Sequence, residues 1–108
     1  MLKSFIVSGK VQGVMFRQTF IRGLLKRKLI GGATNNLDRS KSVTISIDAD
    51  EEVIQEVINE LRQIKIINSW NATIEEISEI PPVPTKEHQV TTQNVDQFNW
   101  STGVDFYF

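Results

Sequence analysis

The apolar residues of this chain change period from two to between three and four and back again, twice, within 108 residues. A period of two puts alternate side chains on opposite faces of a strand, whereas repeats at i and i+4 gather them along one side of a helix. Residues 3–8 alternate, with Phe5 and Val7 on one face and Ser4, Ile6 and Ser8 on the other, and Gly9 is expected to end that strand. From about Val14 to about Leu29 the repeat lengthens. Phe16, Phe20 and Leu24 recur every fourth residue with Ile21 and Leu25 beside them, which predicts an amphipathic helix. Gly31-Gly32 is expected to stop it, because glycine accepts the left-handed geometry of a helix end.

The pattern then repeats. A short strand is expected over residues 31–36, followed by the polar turn Leu37-Asp38-Arg39-Ser40-Lys41. Residues 42–47 alternate most cleanly, with Val43, Ile45 and Ile47 inward and Ser42, Thr44 and Ser46 outward. Asp48 or Asp50 caps a second helix with a buried stripe of Val53, Val57, Ile58, Leu61 and Ile64, and a fourth strand covers about 72–77. Pro81-Pro82-Val83-Pro84 opens a loop over about 81–102, the stretch with least structure by composition, with Phe98 and Trp100 as its local anchors. Trp70 is expected to close the turn before the fourth strand. A last strand is expected over 104–108, with Val104, Phe106 and Phe108 on one face. The order β-α-β-β-α-β plus a C-terminal strand implies an α/β (α+β) ferredoxin-like sandwich. Its sheet is mainly antiparallel, with two helices on one face. Residues 1–108 are read as a single domain.

Composition narrows the setting. No run approaches the ~20 apolar residues that a membrane-crossing helix needs, and Met1 to Val7 is too short and too alternating for a signal peptide. Cysteine is absent, so thiolate chemistry and disulfides are excluded, and the chain is expected in the cytoplasm, away from membranes. The net charge of −1 hides an asymmetry. Residues 1–41 carry nine Lys or Arg and one acid, while residues 42–108 carry three bases and twelve acids. A basic half suits an anionic ligand, although Lys26-Arg27-Lys28 is read as the last turn of a helix, where cations offset the dipole.

The chemistry concentrates in Gly9-Lys10-Val11-Gln12-Gly13-Val14-Met15-Phe16-Arg17, between a strand and a helix start. Main-chain N–H groups there lack intrahelical acceptors and the helix dipole is positive, so a phosphate group can be held. Gly9 and Gly13 permit a turn that points several amides at one spot. Arg17, in the first helical turn, can reach back and grip the same anion with two parallel hydrogen bonds. Other candidate chemistry is thin. Asp48, Asp50, Glu51 and Glu52 form a carboxylate cluster without calcium-loop spacing and are read as a charged helix start, so no metal is expected. His88 is the one histidine and lies far from the glycine turn in sequence. An RNA-binding sheet would need aromatics in its third strand, where this chain has Ser42-Val43-Thr44-Ile45-Ser46-Ile47, so no nucleic acid is expected.

The run Val7 to Arg17 closely resembles the signature of acylphosphatases, Gly-x-Val-Gln-Gly-Val-x-Phe-Arg, with every fixed position present. The resemblance implies that Gly9, Lys10, Val11, Gln12, Gly13, Val14 and Met15 form the phosphate-binding loop and that Arg17 is catalytic. It further implies a catalytic asparagine eighteen residues beyond the arginine, which is Asn35, with Asn36 as the neighbouring register. The implied activity is hydrolysis of a small acyl phosphate to a carboxylate and inorganic phosphate, without cofactor, and a monomer is the default expectation. Three departures stand out: Gly32 where the family usually has an aromatic, Thr34 where it usually has a basic or amide residue, and a longer, glycine-free turn after Asn36. They imply a more open rim around the site. A non-catalytic phosphate-binding module on the same scaffold is the alternative.

Overall fold

In the computed structural model, which describes all of residues 1–108, the alternating segments pair as strands around two helices. The elements run β1 (Leu2–Lys10), α1 (Phe16–Lys26), β2 (Ile30–Asn35), β3 (Val43–Asp48), α2 (Glu51–Ile64), β4 (Thr73–Ile80) and β5 (Val90–Thr91). The sheet order is β4-β1-β3-β2-β5 and every pairing is antiparallel. The register sets Phe5 opposite Ile45 and Val7 opposite Val43, with Ala33 opposite Ile45 on its other side. These residues share one buried core with Phe20, Ile21 and Leu24 of α1 and Ile54, Ile58 and Leu61 of α2. The ferredoxin-like α+β class stands.

Several boundaries differ from those expected, each for a local reason. Helix α1 begins at Phe16 rather than near Val14 because Met15 takes a left-handed conformation (φ 62°). It ends at Lys26, and Lys28 (φ 59°), not glycine, supplies the left-handed residue after it. Gly31 and Gly32 instead lie inside β2, where a side chain at residue 31 would strike Leu24 and the Ser46 carbonyl. Gly9 lies within β1 at a register shift (φ 129°), and its missing Cβ is what lets the Thr73 carbonyl of β4 approach. In α2 the buried stripe runs through Ile54, Val57, Ile58 and Leu61, while Val53 and Ile64 are only half-buried. Asp50 occupies the N-cap, with no hydrogen bond from its side chain.

The expected strand at 104–108 does not form. That segment meets residues 67–69, which belong to no strand, and makes one isolated bridge, Asn68 with Phe106. Phe106 is consequently 39% exposed. Phe108 is buried, stacked on Phe20 at 6.0 Å and set against Gly23, which has no Cβ to obstruct it. Arg27 lies 4.2 Å over the Phe108 ring, and its guanidinium also pairs with Glu60.

The fifth strand comes from within the 81–102 segment, which is far more structured than its composition implied. Val90 and Thr91 extend the edge of β2, flanked by 3-10 turns at Thr85–Glu87 and Val95–Gln97. Ser4 and Ser46, expected on an outward face, are fully buried beneath this segment. The Val83 N–H donates to Ser4 Oγ at 2.8 Å and Ser46 Oγ donates to the Val83 carbonyl at 2.8 Å. A sheet with helices on one face therefore has part of its other face covered by a polar seam.

Candidate active site

The end of β1, the start of α1 and the end of β2 converge on one point because β1 and β2 both flank β3 and α1 follows β1 directly. Gly13 (φ 74°) and Met15 (φ 62°) curl the connection back on itself. None of the main-chain N–H groups from residue 11 to residue 18 donates to another protein group; the first such bond is Thr19 N–H to the Met15 carbonyl. Helix starts normally recruit a side-chain cap for these donors, and α1 has none. The result is a row of unpaired amide dipoles at the positive end of a helix, which is the chemistry of an anion seat.

A pocket of about 160 Å³ opens on this row, lined by Val11, Gly13, Met15, Phe16, Arg17, Asn35 and Trp100. Arg17 is half-buried, and burial draws its pKa below the ordinary value. A guanidinium remains charged at neutral pH through such a shift. Its Nη1 donates to Gln89 Oε1 at 3.0 Å, and its Cζ lies 5.9 Å from the Trp100 ring centre. Asn35 lies beside it. Its main-chain N–H donates to the same Gln89 oxygen at 2.9 Å, while its own Oδ1 is buried without a hydrogen-bond partner. Buried acceptors are normally paired, and this one is not.

Asn36 points elsewhere: its Nδ2 donates to Ser42 Oγ at 2.9 Å and its Oδ1 accepts from Thr44 at 3.1 Å. The pair thus divides into one asparagine in the pocket and one that builds the turn. Gln12 also serves the turn, its amide donating to the carbonyls of Asn36 (2.8 Å) and Ser42 (2.9 Å). It ties the glycine loop to β2–β3. Gly9 and Lys10 lie in β1, paired with Ile74 and Thr73, and do not line the pocket. Val14 is buried, and its carbonyl accepts from Asn68 Nδ2 at 2.9 Å.

Three residues escaped sequence reasoning. Asn68, fully buried, also donates to Thr19 Oγ1 (2.8 Å) and accepts from the N–H groups of Trp70 and Ala72, so it pins the loop to the turn after α2. Gln89 bridges Arg17 and Asn35 from the segment read as a loop. His88 sits beside Gln89, 6% exposed, with Nε2 2.6 Å from Ser46 Oγ and Nδ1 2.9 Å from Thr34 Oγ1. Ser46 already donates to Val83, so Nε2 carries the proton and Nδ1 accepts from Thr34, an assignment made from the network. Thr34 Oγ1 in turn accepts from the Gln89 N–H at 3.0 Å. No spacing rule joins residues 34, 46 and 88; only the fold does. The rim at Gly32 and Thr34, expected to be open, is closed by His88 and Gln89.

The sequence profile of the acylphosphatase family matches residues 3–98. The chain belongs to the acylphosphatase family. The crystal structure of acylphosphatase from Bacillus subtilis superposes with a TM-score of 0.60 at 28% identity, covering 82% of this chain and 92% of that one. Full-length HypF in a phosphate- and nucleotide-bound form superposes with a TM-score of 0.54 at 26% identity, covering 82% of this chain and 11% of HypF. No curated protein matches the sequence. This acylphosphatase fold thus resembles both a small protein and a minor part of a much larger one. No helix is long and apolar enough to cross a membrane.

Proposed function

We propose that this protein hydrolyses small acyl phosphates to a carboxylate and inorganic phosphate, with Arg17 and Asn35 as catalytic residues. The observation that carries the reading is the meeting of three things in one pocket: unpaired amides, a charged guanidinium and an unpaired amide oxygen. An acyl phosphate is a mixed anhydride, and its leaving group is a carboxylate whose acid has a pKa of about 4. Such a group departs unprotonated, so no general acid is required. The reaction asks for neutralisation of the negative charge on the phosphoryl oxygens and a water held in line. Arg17 and the amides of the Val11–Met15 loop serve the first need. Asn35 Oδ1 accepts a hydrogen bond from the attacking water and so serves the second.

The same reading has the protein act as a cytoplasmic monomer without metal, since the positive charge comes from Arg17 and the helix start. A steady-state assay on benzoyl phosphate tests it. Turnover that survives exhaustive chelation and is inhibited competitively by inorganic phosphate is the expected result. One observation favours a second reading, a phosphate-binding module without turnover: Gln89 Oε1 already engages both Arg17 and the Asn35 N–H. Stabilisation by phosphate with no release of product from any acyl phosphate would select that reading.

A further inference from the structure

A second concavity of about 370 Å³ lies beside the phosphate pocket. Small-molecule sites commonly span about 300–1,000 Å³; the phosphate pocket, at about 160 Å³, falls below that range and the neighbouring groove lies within it. The two share a wall, because Trp100 lines both. They also share a helix. Arg17 and Gln18 are consecutive in α1, and the helical turn of about 100° per residue sends one side chain into each.

The groove has a distinct chemistry. Phe98, Trp100 and Phe106 line it, the first two in a tilted pair at 5.5 Å, and Phe98 and Phe106 are 41% and 39% exposed. Large rings left half-exposed together mark a binding surface more often than a core. Arg22 stands at the edge, already neutralised by Asp96 at 2.8 Å, so the groove does not call for a second anion. Gln18, which lines the groove with these rings, is 6% exposed, and its Oε1 has no hydrogen-bond partner. Trp100 and Phe106 lie beyond residue 98, where the match to the family ends.

We infer that this groove binds the acyl group of the substrate, and that the group is an uncharged aromatic acyl carrying one hydrogen-bond donor. The inference rests on the acyl-phosphate reading above and supplies its substrate class. The phosphoryl group sits against Arg17, the ring passes Trp100 and stacks between Phe98 and Phe106, and its donor meets Gln18 Oε1.

The test compares acetyl, benzoyl and 4-hydroxybenzoyl phosphate on the full chain. KM should fall about tenfold or more from acetyl to benzoyl phosphate, the scale at which an apolar pocket discriminates, and fall again for the hydroxylated ring. Phe98→Ala should collapse the acetyl-to-benzoyl ratio, and Phe106→Ala provides the same reading if the first variant folds poorly. Gln18→Met should erase the preference for the hydroxyl while keeping that for the ring. Equal KM values across the three substrates, or ratios that stay at the parent value in the variants, overturn the inference. If no acyl phosphate turns over, the proposed activity fails first. The groove is then judged by quenching of tryptophan fluorescence with 4-hydroxybenzoate in phosphate buffer. Quenching that Phe98→Ala weakens supports it, and no quenching overturns it.

Discussion

His88 lies directly against the bare backbone of Gly32, so that a Cβ on residue 32 would sit 2.7 Å from the His88 Cβ and 2.8 Å from its ring. The residue that departs from the family pattern in β2 is thus matched by a ring supplied from the 81–102 segment. The same ring holds Thr34, and Thr34 holds the main chain of Gln89, whose side chain meets Arg17. Gly32→Ala must push the imidazole outward against a packed seam. Overpacking of this kind costs about 1–3 kcal/mol, so the midpoint of chemical denaturation should fall by a corresponding amount. In a double-mutant cycle, Gly32→Ala should cost less in a His88→Gly background, where both the Cβ and the ring are gone, and an unchanged cost there would show the contact to be unimportant.

Arg17 and Asn35 should separate binding from turnover. Arg17→Ala removes the one cationic side chain lining the proposed phosphate pocket and should lower kcat/KM by about 10²–10³ or more, as loss of a preorganised donor does. Competitive inhibition by inorganic phosphate should be lost with it. Asn35→Ala should lower kcat on the same scale while phosphate still binds, because the amides and Arg17 are untouched. Parent-level turnover in Asn35→Ala would assign the water to another group.

Much of this arrangement was legible in the chain. The strict alternation at 42–47 and the four-residue spacing of Phe16, Phe20 and Leu24 place β3 and α1, since burial of one face leaves few other solutions. The run from Gly9 to Arg17 points to the proposed anion seat chiefly through its resemblance to the acylphosphatase signature: Gly13 suits its left-handed position (φ 74°), but nothing in the residue type of Met15 announces another (φ 62°), and Gly9 and Lys10 stay in β1. What stayed hidden depends on contacts between distant segments. Ser4 and Ser46 look solvent-facing by parity alone, and only the fold lays Val83 and His88 over them. Gly31-Gly32 reads as a helix stop because glycine serves close packing and left-handed turns alike, and here packing against Leu24 and His88 decides. Phe106 and Phe108 share a parity, yet one is exposed and the other buried, because a chain end that forms no ladder is not bound by alternation.

Phe108 should matter more to stability than its terminal position suggests. Its ring stacks on Phe20, lies under Arg27 and fills the space left by Gly23. Removing a buried Phe side chain costs about 3–5 kcal/mol, so Phe108→Ala should lose that much in urea unfolding. Tyr107→Ala, at a residue 55% exposed, is the comparison and should stay within about 0.5 kcal/mol of the parent. Equal effects from the two would mean that the end of the chain is not docked as described.

The buried imidazole also makes stability depend on pH, with a definite sign. Burial lowers the His88 pKa below its ordinary 6.5, and the nearby Glu87 carboxylate opposes this only in part. The network explains the direction, since a second proton on Nδ1 would displace the hydrogen that Thr34 donates there. In the unfolded chain the imidazole takes up a proton near pH 6.5, while the folded one resists. Between the two values the unfolded state binds more protons, so stability rises with pH. The full contribution is therefore present above pH 6.5 and is lost as pH falls through the lower folded value. His88→Gln does not titrate, so the difference in unfolding free energy between parent and variant should shrink from about pH 7 to about pH 5. A difference that is flat across that interval would mean the imidazole accepts its second proton without cost, and the seam over Ser46 would have to be looser than its 2.6 Å contact implies.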